Sequence, residues 1–368
     1  MAVYRIFPEK DTFISTEVPT GNAGKDEIVE IGGYYDISNT RQVNRTLIRY
    51  STVDIQDAIT NKIAGVNYSA SLKMYLADAY EVPVTYNVYA YPVYGAWDNG
   101  VGKFGDTPIN TTGVSWTYQS VGSTNAWPLS AFAAGVTASF ATVRGGGNWY
   151  TGSAGINLEF SQSHLFNSSN DVSINVTPAI QLINSNTLTN SGFIVKLSND
   201  LELYNSASIR LKYYGADTNT IYPPFLEFKW DDSAYNTGSL SVLSNSTSIV
   251  SLLNNRGKYA DVGKQRFRMS VRPKYPVRSF TTTSAYLINY ALPSSSYWGL
   301  KDENTEEMIV DFDTNFTKIS CDAAGAFFDV YMDGLQPERY YRILIKTTLD
   351  GSTTVIDNHN VFKVVRNG

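Results

Sequence analysis

Few residues in this chain have the type and spacing that chemistry needs. Two carboxylates flanking a glycosidic bond would support hydrolysis. Asp231 and Asp232 are adjacent, so in an extended strand they face opposite sides and cannot flank one bond. Glu303, Glu306 and Glu307 follow Asp302 in a polar stretch that reads as a solvated loop. The two histidines, His164 and His359, are far apart and lack the paired spacing of a zinc site, so both read as structural. Cys321 is the only cysteine. It sits in the alternating Lys318-Ile319-Ser320-Cys321 and reads as a small buried residue; a nucleophile would want a histidine nearby. Gly145-Gly146-Gly147 lacks the following Lys-Ser/Thr of a phosphate loop, and Gly-x-Ser-x-Gly is absent. Asp26 and Asp106, in loop-like stretches, offer the oxygen ligands calcium takes, but without EF-hand spacing. The residues therefore predict no enzyme, no metal site and no cofactor.

Composition bounds the alternatives. The 368 residues should form about two or three domains at roughly 150 residues each. Apolar residues make up 43%, enough for ordinary cores, and charged residues only 17%. Tyrosine is abundant, with 26 copies, and Ser, Thr, Asn and Gly fill much of the rest. Tyr and Thr suit a pleated, half-buried surface, and Asn and Gly suit tight turns. A net charge of −5 without a clustered basic face argues against nucleic acid as a partner. No window approaches the roughly 20 apolar residues of a membrane helix, so no membrane partner is expected. One cysteine cannot make an internal disulfide, which excludes a disulfide-stapled secreted scaffold.

The elements that would position any site read as strands. Val3–Phe7, Ile28–Ile31, Thr46–Tyr50, Leu72–Leu76 and Thr85–Tyr91 alternate with period two between turn signals. The last two look like a pair across the Glu81-Val82-Pro83 turn. Strand signals resume at Val172–Val176, Gly192–Leu197 and Ile209–Tyr214, and Pro223–Trp230 reads as a closing strand. A short helix is predicted at Pro178–Ile183, with Thr177 as N-cap. Residues 231–275 read as a linker with a short β segment, and 276–368 as a further run of strands. In that run, Leu335-Gln336-Pro337 followed by Tyr341 resembles the strand-turn-strand of fibronectin-type and immunoglobulin-like domains. There a tyrosine hydroxyl pins a chain corner, and Tyr341 is the candidate pin. The expected fold is all-β: a jelly-roll-like β-sandwich over 1–230, then one or two smaller immunoglobulin-like or fibronectin-like sandwiches.

Residues 95–170 are less regular. They hold Trp97, Trp116, Trp127, Trp149 and Tyr150 in Gly-rich loops. Long ordered loops of this kind often form functional surfaces, although tryptophans can also plug the end of a sandwich. These five aromatics are the interface or glycan-contact candidates.

Residues 1 to about 230 resemble the bacterial β-sandwich family called DNRLRE domains. The resemblance rests on ordered pieces: Asp11-Thr12-Phe13-Ile14, Asn22-Ala23-Gly24, Arg45-Thr46-Leu47-Ile48-Arg49-Tyr50 and Ala70-Ser71-Leu72-Lys73-Met74-Tyr75. Trp97, Val114-Ser115-Trp116, Val176-Thr177-Pro178-Ala179-Ile180, Gly192-Phe193-Ile194 and Pro224-Phe225-Leu226-Glu227-Phe228 continue it. The family implies a jelly-roll-like sandwich of cell-surface and polysaccharide-associated proteins. The chain starts Met1-Ala2-Val3-Tyr4-Arg5, without the apolar stretch of a signal peptide, which fits assembly into a particle released by lysis. With its later immunoglobulin-like strands, the whole resembles virion structural proteins of tailed bacteriophages, particularly tail-associated ones. The expected function is a virion protein that builds or anchors a tail, baseplate, neck or fibre element. Its partners would be other virion proteins and copies of itself, and its location the virion. The alternative is a carbohydrate-binding module or adhesin that touches host glycans through an exposed aromatic platform.

Overall fold

A computed structural model of the chain describes residues 2–80, 82, 85–120, 125–128, 134–138, 145–165, 167–204, 207–232, 234–244, 247–277 and 284–367. Glu81 and Pro83 of the expected turn lie outside these. The fold is all-β and sandwich-like. The chain divides into two compact units. One comprises Ile6–Ala64 and Ser69–Glu227; the other comprises Met1–Arg5, Gly65–Tyr68 and Phe228–Gly368.

Among the described residues, sixteen strands run to residue 230 in chain order. They are β1 (Ala2–Ile6), β2 (Lys10–Ser15), β3 (Ile28–Tyr35), β4 (Arg41–Arg49), β5 (Tyr68–Met74), β6 (Leu76–Tyr80), β7 (Thr85–Pro92) and β8 (Val136–Ala138). Then follow β9 (Asn148–Tyr150), β10 (Gly152–Ser153), β11 (Ile156–Asn157), β12 (Phe160–Leu165), β13 (Val172–Asn175), β14 (Phe193–Leu197), β15 (Ile209–Tyr214) and β16 (Phe225–Trp230). In the larger unit the main sheet has the order β12-β7-β14-β4-β3-β15-β6, with β2 also on β4. In the other sheet β5 lies between β16 and β13. Leu72 and Met74 of β5 and Val172 and Ile174 of β13 are buried and their neighbours are not, the period-two pattern of a sheet with one wet face.

Leu72–Leu76 and Thr85–Tyr91 do not pair with each other. The chain changes sheet at Tyr75: β5 pairs with β13, whereas β6 pairs with β15 and β7 with β12 and β14. Alternation shows that a segment is a strand but not which neighbour it takes.

Among the described residues, two short α-helices lie in this unit. The first, α1 (Thr52–Asp57), was not expected; the Ser51 hydroxyl caps it by accepting from the Asp54 N–H at 3.3 Å. The expected helix is present as α2 (Thr177–Asn184), but Val176 is its N-cap residue. The Thr177 hydroxyl turns back to Asn175 Oδ1 at 2.6 Å instead.

Strands β17 (Ser248–Leu252), β18 (Lys258–Ala260), β19 (Lys264–Pro273), β20 (Tyr297–Asp302), β21 (Met308–Val310), β22 (Ser320–Asp322), β23 (Gly325–Tyr331), β24 (Tyr340–Leu349) and β25 (Ser352–Val365) belong to the smaller unit. They form two sheets, β17-β19-β23-β22 and β18-β25-β24-β20-β21. Residues 231–275, read from sequence as a linker with a short β segment, supply three of these strands. Aromatic rings join the two sheets. Phe267 of β19 lies 5.4 Å from Phe362 of β25, and Trp298 of β20 stacks on Phe328 of β23 at 5.2 Å.

Tyr341 is the corner pin that the sequence indicates. Its buried hydroxyl donates to the Gln336 carbonyl at 2.9 Å. Tyr341→Phe leaves that carbonyl without its donor, so a loss of about 1–2 kcal/mol is expected. Urea unfolding of the variant checks this; an unchanged midpoint for the smaller unit would remove the pin from the account.

Candidate functional site

Trp97, Trp116, Trp127 and Trp149 do not form an exposed platform. They are buried in one cluster with Ile14, Val43, Leu47, Tyr91, Val93, Val114 and Ile194. The loops after β7 fold back on the main sheet, because four large rings remove far more apolar area from water inside than outside. Two indole N–H groups are satisfied there: Trp97 donates to the Ser191 carbonyl at 2.8 Å and Trp127 to the Ser115 carbonyl at 3.1 Å. Tyr150 is half-buried, its ring edge-on to Tyr94 at 5.4 Å.

The motif Asn22-Ala23-Gly24 holds this loop in place. Asn22 is buried and uses both ends of its amide. Its nitrogen donates to the Asn99 and Val114 carbonyls at 2.7 and 2.9 Å, and its oxygen accepts from the Gly24 and Gly102 N–H groups. A Cβ on Gly24 would lie 2.1 Å from the Asn99 carbonyl oxygen, so only glycine permits this approach. The run Gly145–Gly147 has a packing role of the same kind. A Cβ on Gly145 would meet the Trp116 ring at 2.8 Å, and Gly146 reaches the Trp116 carbonyl through its N–H at 2.8 Å.

Beneath the tryptophans lies a buried charge cluster that the sequence did not reveal. Arg45 of β4 and Lys196 of β14 both meet Glu202, which lies in the π-helical turn Asp200–Tyr204. Arg45 Nη2 lies 2.6 Å and Lys196 Nζ 3.2 Å from Glu202 Oε2, with all three side chains essentially inaccessible to water. Arg45 also donates to the Gly146 carbonyl at 2.5 Å, and Lys196 to the Leu197 carbonyl and Asn199 Oδ1 at 2.8 Å. The guanidinium sits over the Trp116 and Trp149 rings at 5.1 and 5.3 Å, and the ammonium over Trp149 at 5.4 Å. Two cations thus share one carboxylate, and the ring faces supply further negative potential. Burial pushes the Lys196 ammonium down to about 8. These contacts hold the three charges in the interior, and Lys196 and Trp149 also line an open pocket of about 310 Å³ with Tyr91, Glu159 and Asn199.

His164 is buried, stacked on Tyr86 at 4.8 Å and bonded to the Ser169 carbonyl at 3.0 Å. His359 is exposed, 3.2 Å from Glu303 and 3.1 Å from Arg342. Cys321 lies buried in β22, and burial raises its thiol above its ordinary range. Asp231 and Asp232 follow β16 and are exposed. Asp26 accepts from the Phe104 N–H at 2.7 Å and Asp106 from the Lys103 N–H at 2.9 Å. Among the described residues no group of three or more His, Cys, Asp or Glu side chains could hold a metal ion.

Asp11, in the first motif, is buried and accepts from the Ala216 N–H at 2.7 Å. Burial raises its carboxyl to about 7, far above its ordinary 3.8. The folded state then holds this proton over a range where the unfolded state has lost it, so stability falls as pH rises from about 4 to 7. The shift corresponds to on the order of 4 kcal/mol. Asp11→Asn is expected to flatten that slope and to raise stability at neutral pH. Thermal melts across that range check it; an unchanged slope would exclude Asp11 as the source.

An open groove of about 510 Å³ lies on the edge of the main sheet, lined by Glu17, Tyr34, Tyr35, Asp36, Ile37, Tyr80, Ser208, Arg210 and Lys212. Register explains its assembly. Arg210 of β15 pairs with Gly32 of β3 and Tyr80 of β6, and Lys212 with Glu30 and Asp78. Ile209, Leu211 and Tyr213 point to the core, which leaves Arg210 and Lys212 on the outer face. Arg210 forms a two-pronged pair with Glu30 at 2.7 and 3.0 Å and lies over the Tyr34 ring at 4.8 Å. The Tyr34 hydroxyl donates to Glu17 at 2.7 Å.

The fold and these geometries define an all-β protein of two sandwich units. No protein-family model matches the chain, and no curated protein matches it. Among solved structures, a DUF4785 family protein from Legionella pneumophila aligns over 100% of this chain and 69% of its own at 10% identity, with a TM-score of 0.15. At that score the likeness carries nothing about fold or function.

Proposed function

We propose that the chain is a virion structural protein of a tailed bacteriophage, building or anchoring a tail, baseplate, neck or fibre element through contacts with its own copies and other virion proteins. The observation that supports this reading most is where the reactive side chains go. Lys196, Glu202, Arg45, His164 and Cys321 are all buried, which favours a reading in which the protein acts through its surfaces. The resemblance of its ordered motifs to sandwich domains of cell-surface and polysaccharide-associated proteins, and of the whole chain's pattern to tail-associated virion proteins, gives the reading its direction. The smaller unit also exposes large apolar side chains that water alone does not favour: Tyr275, Val277, Tyr286 and Leu287 are 73%, 90%, 57% and 76% accessible. Such residues suit subunit contacts.

Sedimentation of the purified chain, alone and with disrupted particles, tests this. Association that is lost in a Val277→Asp/Leu287→Asp variant with an unchanged melting temperature supports it. A chain that stays monomeric and binds no particle component counts against it.

A further inference from the structure

We propose that Lys196 and Asn199 are poised to join their side chains in an isopeptide bond, with Glu202 as the proton acceptor. The inference goes beyond the building-block reading and does not depend on it.

The first argument is geometry. Lys196 lies in β14, and Asn199 follows just before the turn that carries Glu202. The Lys196 side chain donates to Asn199 Oδ1 at 2.8 Å, so the amide carbon is one bond beyond that contact. Glu202 Oε2 lies 3.2 Å from the same nitrogen, and Arg45 holds the two Glu202 oxygens at 3.1 and 2.6 Å. Nucleophile, electrophile and proton acceptor are thus gathered where the Lys196 and Glu202 side chains are 2% and 0% accessible. Fixing reacting groups in this way gives an effective concentration of about 10⁵ M or more, which attack on an amide needs.

The second argument is reactivity. A lysine is a nucleophile only as the free amine, and desolvation beside another cation favours that form. Burial is the main cause of the Lys196 midpoint of about 8; Glu202 opposes it and Arg45 adds to it. Asn199 lines the open pocket of about 310 Å³, which gives ammonia a way out.

The third argument is charge. Arg45 and Lys196 share the Glu202 carboxylate in the interior, and a buried charge without its own partner is costly. Turning the ammonium into an amide leaves Arg45 and Glu202 as a one-to-one pair.

The step balances without a co-reactant. The Lys196 amine attacks Cγ of Asn199 and forms a C–N bond, while Glu202 takes the proton that the nitrogen sheds. The Cγ–Nδ2 bond breaks. Nδ2 leaves as ammonia, taking that proton, and Glu202 is again a carboxylate. The newly folded chain carries the charged cluster, and the bond forms as the chain ages at alkaline pH.

Intact-mass spectrometry and tryptic mapping of the full chain, aged above pH 8 and at pH 6, test this. The chain aged at alkaline pH should weigh one ammonia less, with Lys196 and Asn199 in one peptide that trypsin no longer cuts after Lys196. At pH 6, two units below the Lys196 midpoint of about 8, the free amine is about a hundredfold scarcer than the ammonium, so the loss should slow by a similar factor. Lys196→Arg, which keeps the cation, and Asn199→Asp, at an exposed position, should each abolish it. The proposal is overturned if the aged chain keeps its full mass or if trypsin still cuts after Lys196. It is equally overturned if the ammonia loss persists in Lys196→Arg, which would place it in a succinimide formed by the Asp200 backbone nitrogen on Asn199. The isolated chain is used throughout, so the result stands apart from whether the protein is found in particles.

Discussion

Glu202→Gln should destabilise the larger unit by about 3–5 kcal/mol, the range for breaking a buried ion pair from one side. The change keeps the shape and removes the carboxylate that the structure places between Arg45 and Lys196, at 2.6 and 3.2 Å. Two cations are then left in a site with almost no water. The loss should be pH-dependent. Lys196 holds its proton less tightly when folded, near 8 against an ordinary 10.5. Between those values the unfolded state binds more protons, so stability rises with pH through that window. Glu202 favours the ammonium, so without it Lys196 discharges at lower pH, and in the Gln variant the deficit should shrink as pH rises toward 8 and stay level above it. Replacing all three residues together by apolar side chains should recover much of the loss, because no unpaired charge remains. Denaturant unfolding across pH measures both effects. A Gln variant within about 1 kcal/mol of the parent would mean that the cluster behaves like a surface pair and is not desolvated.

Trp149→Ala carries the second large expectation, again about 3–5 kcal/mol, as for other large-to-small changes in a core. Trp149 is buried in the cluster, touches Tyr91 at 5.7 Å and gives its ring face to Arg45 and Lys196. The cost thus combines a cavity with weaker support for two buried cations. Trp149→Phe keeps a ring face and should lose less than half as much. Equal losses in the two variants would assign the effect to volume alone. Because the chain has two units, the transition of the larger one must be followed by its own probe.

These two positions also mark where the sequence could be read and where it could not. Period-two alternation located β4, β14 and β15 because each has one wet and one dry face, or a buried run between turns. Tyr341 was legible because the corner needs only a local spacing, with partner Gln336 five residues away. Trp149 was visible as an aromatic in a Gly-rich loop, but its direction was not: a loop that folds back onto its own sheet has the same composition as one that reaches outward. Gly145–Gly147 read as the absence of a phosphate loop, when its use is close packing against Trp116. Glu202 carried no signal at all. It meets Arg45 across 157 residues of chain, and only the sheet order brings them together. The tyrosine groove was hidden for the same reason, since Tyr35, Tyr80 and Arg210 come from β3, β6 and β15 and become neighbours through register.

The central claim is that this all-β chain is a building block of a particle. Quantitative mass spectrometry of purified, nuclease-treated virions tests it most directly. The expected result is the intact chain in particles at a fixed ratio to the other tail proteins, retained through gradient purification. Its absence from particles, with the protein recovered only in the soluble fraction of the lysate, would contradict the claim.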